Sequence, residues 1–200
     1  MKASIFVLFF SLVLISVNGV TADYGLNIGT KAPNFTANKV PKGTIQLSNE
    51  VKDQNVVLVF YRGGWCPFCN IQLRELQNTL APELKSLNAK LIAVSVDLVD
   101  EGVKTTEKNS LSFDVVSDPK AKILKAYNIA YKVPEELVKK YKESYGLDLE
   151  KSSGEKHHII AVPSVFVIDK TQTIKFSYSN EDYKTRAQIK DILAALRSLK

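Results

Sequence analysis

The sequence predicts an α/β fold, a β-sheet flanked by helices, and three observations carry that reading. Asn55 to Tyr61 contains Val56-Val57-Leu58-Val59-Phe60-Tyr61, a continuous apolar run that suits a strand buried on both faces. Behind it Leu73, Leu76, Leu80, Leu84 and Leu87 recur at steps of three or four, the stripe of a helix packed on that strand. A second apolar run, Leu91 to Val96, then returns to strand character, and strand, helix, strand in this rhythm is the pattern of α/β proteins.

Taken in order, the chain opens with Met1-Lys2 and an uncharged run from Ala3 to Val17 rich in Ile, Val, Leu and Phe. That run is shorter than the roughly 18 to 20 residues a spanning helix needs, and it ends at Asn18-Gly19 before Val20-Thr21-Ala22. Residues 1–22 therefore read as a signal peptide cleaved after Ala22, with an uncleaved anchor as the alternative, and the protein reads as exported, periplasmic or secreted. No later segment is apolar enough to span a membrane, so no stable membrane partner is expected. Residues 23–200 read as a single domain, long enough to bury about 70% of its unfolded surface without disulfides to hold it. The net charge of +6 comes from Lys scattered along the chain (Lys85, Lys90, Lys104, Lys108, Lys139), which reads as solvated surface and argues against nucleic-acid binding.

Two β-rich segments precede the first buried strand, around 34–37 and 44–47. Pro82 is expected to kink or interrupt the leucine-striped helix. After the second strand come a polar helix near 103–109, a short strand at 113–116 and a helix near 120–127. Pro134 to Tyr145 reads as an added helix with Pro134 in its first turn and Gly146 as its stop, followed by a polar loop through Ser152-Ser153-Gly154. A hairpin (165–169 and 173–178) and an amphipathic helix marked by Ile189, Ile192, Leu193 and Leu196 close the chain.

The chain has two cysteines, Cys66 and Cys69, and both flank a Pro-Phe spacer where the first buried strand passes into the leucine-striped helix. Unpaired N–H groups and the dipole at a helix start favour an anion, so the Cys66 thiol should ionise below the free value of about 8.5. Pro67 suits the first helical position, where its missing N–H is not needed. Arg62 could add positive charge near the sulfur, and Trp65 either floors a substrate groove or packs the edge of the site. A redox-active pair, a pair of metal ligands and a structural staple all remain open. The staple would close a loop of only four residues, removing roughly 2 kcal/mol of unfolded-state entropy. His157-His158 could join the cysteines as copper ligands, or simply form an exposed pair before a strand.

Several segments together resemble the peroxiredoxin-like, CxxC-containing branch of the alkyl hydroperoxide reductase/thiol-specific antioxidant superfamily. They are Gly29-Thr30-Lys31-Ala32-Pro33-Asn34-Phe35, Phe60-Tyr61-Arg62-Gly63-Gly64-Trp65-Cys66-Pro67-Phe68-Cys69, Val94-Ser95-Val96-Asp97, Val162-Pro163-Ser164-Val165-Phe166-Val167-Ile168-Asp169 and Asp182-Tyr183. The cysteine segment is the most specific of these. The resemblance implies a thioredoxin-like fold of peroxiredoxin type, a central mixed β-sheet flanked by helices with an N-terminal β extension and a helical insertion near 134–145. It implies a peroxidase in which the Cys66 thiolate attacks a small hydroperoxide and becomes a sulfenic acid. Cys69 would resolve that acid as a disulfide, and a thioredoxin-like donor would reduce it, with no metal or organic cofactor.

Three departures from typical members stand out. Those enzymes place a Thr or Ser three residues before the reactive cysteine, an Arg on a later strand and a Glu three residues after the cysteine. Here Gly63, Pro163 and Cys69 stand there. Pro163 resembles the cis-proline of thioredoxins, which shapes a partner groove, while Phe60 stands where thioredoxins keep a buried Asp. The runner-up function is therefore an exported thiol-disulfide oxidoreductase acting on protein partners, and a third is a copper-binding module. Substrate contacts are expected at Arg62, Trp65 and Pro163. The oligomeric state is not legible in the sequence.

Overall fold

A computed structural model describes residues 24–199. The expected signal segment, with its cleavage after Ala22, lies outside the described residues. Near the start of the described chain, β1 (Thr36–Lys39) and β2 (Thr44–Gln46) form an antiparallel hairpin that ends in the short helix α1 (Leu47–Glu50). The apolar run forms β3 (Asn55–Phe60), and every one of its residues is buried. Its alternation divides the core. Val56, Leu58 and Phe60 pack on one face with Ile92, Val94, Phe166, Leu124 and Tyr127. Val57 and Val59 face the opposite layer with Leu76, Leu80, Ile192 and Leu196. A strand sandwiched between two helical layers needs no polar face, which is why its sequence shows no alternation.

Helix α2 (Pro67–Glu75) starts immediately after Cys66 and runs through a π-helical turn (Leu76–Leu80) into α3 (Ala81–Leu84). The expected interruption at Pro82 takes this form. Proline has no N–H to donate and its ring crowds the carbonyl four residues back, so the turn before it widens while the chain stays helical. All five leucines of the stripe are buried, between 0% and 7% exposed.

β4 (Ala89–Ser95) lies parallel to β3 and leads to α4 (Val99–Lys108), which begins four residues before the expected start, with Asp100 and Glu101 favourable in its first turn. Next come β5 (Asp114–Ser117), parallel to β4, and α5 (Lys122–Ala126). β6 (Ala130–Lys132) pairs with β7 (Ile159–Ala161) in a separate two-stranded ribbon whose strands are too short to show a period. Between them lie α6 (Glu135–Tyr145), with Gly146 left-handed at its end, and α7 (Leu149–Ser153). α7 corrects the expected polar loop: the Asp148 side chain accepts the Lys151 N–H and caps a helix where Ser-rich sequence suggested none.

β8 (Ser164–Ile168) and β9 (Ile174–Ser179) form the expected hairpin, and α8 (Ile189–Arg197) closes the fold. The main sheet is seven-stranded in the order β2-β1-β5-β4-β3-β8-β9, with parallel pairs β3/β4 and β4/β5 and the other pairs antiparallel. It is the expected thioredoxin-like mixed sheet with an N-terminal β extension and the α6 insertion. β3, between β4 and β8, delivers Cys66 just beyond its own carboxyl end. No helix among the described residues is long and apolar enough to cross a membrane.

Leu58 is fully buried at the middle of β3. Leu58→Ala should lower unfolding stability by about 2 to 5 kcal/mol, read as a drop in the denaturant midpoint with the slope unchanged.

Candidate active site

Tyr61 to Cys66 form the turn that carries the chain from β3 into α2. The Cys66 N–H donates to the Gly63 carbonyl at 3.1 Å, and Cys66 itself is the extended residue before Pro67, at the N-cap position of α2. Gly63 has a φ of +154°, and a side chain there would run into the Trp65 indole. The Thr or Ser of typical family members therefore has no room at this position. A Cβ at Gly64 would collide with the buried hydroxyl of Thr105 on α4, so the turn sits directly on that helix.

A polar network holds the turn. Asn70 Nδ2 donates to the carbonyls of Gly64 (2.8 Å) and Cys66 (2.9 Å), and its Oδ1 accepts from Asn109 Nδ2 at 2.7 Å. Asn109 Oδ1 accepts in turn from Arg74 at 2.7 Å. The Gly64 N–H donates to Asp97 Oδ2 at 2.8 Å, fastening the turn to the end of β4. Buried amides satisfied in this way hold their geometry more rigidly than apolar packing alone.

Both cysteines are unbonded thiols, 1% and 0% exposed. The Cys69 thiol donating toward the Cys66 sulfur is the main cause that brings the Cys66 pKa down to about 6. Burial opposes the shift, while the Cys69 backbone N–H and the charges of Arg62 and Arg186 favour it. Cys69 moves the other way: its role as donor to Cys66, its burial and the Cys66 charge hold its pKa well above the ordinary thiol value. One sulfur is thus prepared as the anion and the other as the proton-bearing partner.

Arg62 is 7% exposed and donates to the Tyr141 hydroxyl at 2.8 Å. Its guanidinium stacks 4.2 Å from the centre of the Tyr183 ring and 5.2 Å from that of Trp65. Arg186 donates from Nε to Gln72 Oε1 at 2.8 Å, from Nη1 to the carbonyl of Tyr183, and from Nη2 toward Cys69 Sγ at 3.8 Å. Above Cys66 opens a groove of about 660 Å³, lined by Trp65, Phe68, Tyr141, Tyr145, Leu147 and Tyr183 among others. α6 has no buried residue and forms the far wall of that groove through Leu137, Lys140 and Tyr141.

The model of the AhpC/TSA family matches residues 28–177. The chain belongs to the AhpC/TSA family. Rat (Rattus norvegicus) peroxiredoxin-6 is 33% identical over 106 residues, covering 47% of this chain and 46% of the rat protein. The thiol-disulfide oxidoreductase ResA of Geobacillus kaustophilus is 29% identical over 116 residues, 58% of this chain and 65% of that protein. The match thus spans about half the length of the rat peroxiredoxin-6 and less than two thirds of ResA. Among solved structures, the peroxidoxin BcpB of Mycobacterium tuberculosis superposes with a TM-score of 0.68 at 19% identity, covering 89% of this chain and 99% of that one. A PrxQ mutant of Xylella fastidiosa gives 0.67 at 21% identity, covering 88% and 98%. These likenesses establish the shared fold.

Of the residues predicted for the site, the structure brings Cys66, Cys69, Arg62 and Trp65 together. Pro163 lies one step away, in an adjoining cavity of about 240 Å³ that shares Arg62, Leu137, Tyr141 and Tyr183 with the groove. Its resemblance to a cis-proline does not hold: among the described residues the cis bond is Val40-Pro41. His157 and His158 stand apart from the cysteines. His157 Nε2 lies 2.7 Å from the Pro119 carbonyl, and His158 sits between Glu135 and Glu150, at 3.2 and 2.9 Å.

Sequence reasoning missed Arg186, Tyr141 and Asp97 as parts of the site. Four Arg against 23 Lys was the available signal: Arg62, Arg74 and Arg186 all serve this region, where a flat fork of donors does what a lysine ammonium cannot.

Because Cys66 is lowered to about 6, its thiolate persists at neutral pH and is lost as pH falls through that value. The alkylation rate of Cys66 by iodoacetamide should therefore have its midpoint near 6. In Arg62→Met or Arg186→Met the midpoint should rise by about half to one pH unit.

Proposed function

We propose that the protein is a thiol peroxidase that reduces hydrogen peroxide or organic hydroperoxides. The observation that carries the reading is the division of labour between the two sulfurs, with an acidified Cys66 on the floor of the groove and a protonated Cys69 one turn deeper. Membership of the AhpC/TSA family supports it. In the first step the Cys66 thiolate attacks the peroxide oxygen, the O–O bond breaks, and the leaving alkoxide or hydroxide takes up a proton. The Arg62 guanidinium and the Cys69 N–H, which act on the Cys66 sulfur, are the donors available to that charge. In the second step Cys69 attacks the Cys66 sulfenic acid, forming the disulfide and releasing water. A thioredoxin-like dithiol then reduces the disulfide by exchange.

The groove is far wider than hydrogen peroxide requires, and Phe68, Tyr145 and Tyr183 line it while remaining 37%, 67% and 36% exposed. Bulky hydroperoxides fit this lining, and so does an extended segment of a protein partner. The likeness to ResA favours a second reading, thiol-disulfide exchange with protein partners. We also take the protein to be exported with residues 1–22 removed, a reading supported by the short apolar run alone.

Reduced protein given one equivalent of cumene hydroperoxide should lose both thiols at a rate at least about a hundredfold above that of free cysteine. Cys66→Ser should abolish that loss, and Cys69→Ser should stop at a sulfenic acid that dimedone traps. Peroxide reactivity no faster than free cysteine, with insulin disulfides reduced instead, would transfer the assignment to the second reading.

A further inference from the structure

Arg186 is held against the second sulfur by contacts that the reaction steps above leave unused. It lies in the loop 180–188 between β9 and α8, with Nη2 donating to Cys69 Sγ at 3.8 Å. Nε donates to Gln72 Oε1 at 2.8 Å, and Nη1 to the carbonyls of Tyr183 and Thr185, the latter at 2.9 Å. Gln72 is 5% exposed and stands three residues after Cys69 on α2, so anchor and target share one helical face. The oxygens that hold Arg186 belong to one amide and two carbonyls, none of them charged. Asp182, in the same loop, accepts instead from the Lys184 N–H at 3.1 Å and the Thr185 hydroxyl at 2.9 Å. A guanidinium fork fixed in this way keeps its charge for the sulfur it faces.

We propose that Arg186 is a catalytic residue of the second step and serves the two sulfurs in turn. In the resting protein its charge helps to hold Cys66 as thiolate, and once Cys66 is oxidised the same charge holds Cys69 as thiolate for its attack. The proposal rests on reading Cys69 as the resolving thiol, whichever oxidant Cys66 has met. Before oxidation, donation to Cys66, burial and the Cys66 charge keep Cys69 protonated, while the Arg62 backbone N–H and Arg186 pull the other way. Oxidation turns Cys66 into a neutral sulfenic acid or mixed disulfide and removes its charge. Two of the three causes that keep Cys69 protonated then vanish, and burial alone is left to oppose the donors. Cys69 sheds its proton, its sulfur bonds to Cys66 Sγ, the bond from Cys66 to its leaving group breaks, and that group departs with the electron pair. A departing hydroxide takes up the proton as water, so atoms and charge balance.

The other titratable groups around Cys69 do not confuse this handover. Tyr61, fully buried just beyond β3, is held neutral by burial, with its pKa far above the ordinary phenol value. Asp97, just beyond β4, is pushed up to about 6 by burial, so its charge is settled before Cys69 titrates. Arg62 reaches Cys69 through its backbone N–H, whereas its guanidinium stacks on Tyr183, so replacing the Arg62 side chain leaves that contact in place. The two arginines are therefore separable: the side chain of Arg62 acts on the first sulfur and that of Arg186 on both.

A neutral aromatic disulfide, dipyridyl disulfide, tests this without peroxide chemistry. Attack by Cys66 releases one pyridinethiolate, and attack by Cys69 on the resulting mixed disulfide releases a second, so the second phase reads the Cys69 step alone. In wild type the second-phase rate should level off with a midpoint below about pH 9.5, and Arg186→Met should raise that midpoint by about one unit. Such a rise leaves about tenfold less thiolate near pH 8, and the more basic thiolate is about threefold more reactive. The second phase should therefore slow about threefold there and close on wild type as pH passes both midpoints. Arg62→Met should move the midpoint less than about half as far. A wild-type second phase still rising in proportion to hydroxide at about pH 10, a shift below about half a unit in Arg186→Met, equal slowing at every pH, or an equal shift in Arg62→Met would overturn the proposal. So would release of a single pyridinethiolate by wild type. Gln72→Leu, which frees Nε of Arg186, is read by the same criteria should Arg186→Met fail to fold. A protein that shows the shift yet ignores peroxide would refute the peroxidase reading and leave the role of Arg186 standing.

Discussion

Cys66 has almost no contact with solvent, and a sulfur anion in that position has lost most of its hydration. Everything around the turn replaces what the water would have supplied. The Cys69 thiol and backbone N–H face the sulfur, and the guanidinium groups of Arg62 and Arg186 supply positive charge from two sides. Burial alone would raise the pKa of a thiol, so an acidified thiol at 1% exposure requires these donors together. It also requires that they not move. That requirement explains why the turn from Tyr61 to Cys66 engages Asn70, Thr105 and Asp97, with Asn109 bonded behind Asn70.

Arg62 shows how the same constraint shapes the groove. A guanidinium buried beside a thiolate must be desolvated as well, and the rings of Tyr183 and Trp65 with the Tyr141 hydroxyl take the place of its water. The aromatic lining of the groove is therefore partly the housing of a cation. It is continuous with the surface-exposed rings of Tyr145 and Phe68, the latter packed edge-on against Tyr183 at 5.7 Å. α6 lies on the molecular surface with no buried residue, and Leu137, Val138 and Tyr141 hold it to the fold through a small apolar cluster that includes Trp65. The Arg62–Tyr141 hydrogen bond and the Trp65–Tyr141 ring contact tie this wall of the groove to the turn that carries Cys66.

The sheet and the cysteines were legible in the sequence because each announces itself locally. An unbroken apolar run can only be a doubly buried strand or a buried helix, and the Gly63-Gly64 turn and its length decide for the strand. Two cysteines at a strand-to-helix junction name their own chemistry. Arg186 and Asp97 were not legible in the same way. Arg186 reaches Cys69 and Asp97 reaches Gly64 by tertiary approach, across 117 and 33 positions of sequence, and no period or spacing encodes such a meeting. Gly63 was legible as a departure from the family pattern but not as a necessity. Its φ of +154° and the indole packed against it turn a missing hydroxyl into a backbone requirement. α7 was hidden because serine and lysine favour loops on average, whereas a single Asp148 cap is enough to start five helical residues against the buried Leu149.

The two sulfurs also divide space. Cys66 faces the broad aromatic groove, where a substrate of some size can enter, and Cys69 lies fully buried behind it. A smaller polar cavity opens beside Asp97, and Trp65 lines both it and the groove, while Gly64 lines only the cavity and Cys66 only the groove. The absence of a side chain at Gly64 is itself structural. A Cβ there would meet the Thr105 hydroxyl, so bare backbone lets the turn lie on α4 while its N–H bonds Asp97.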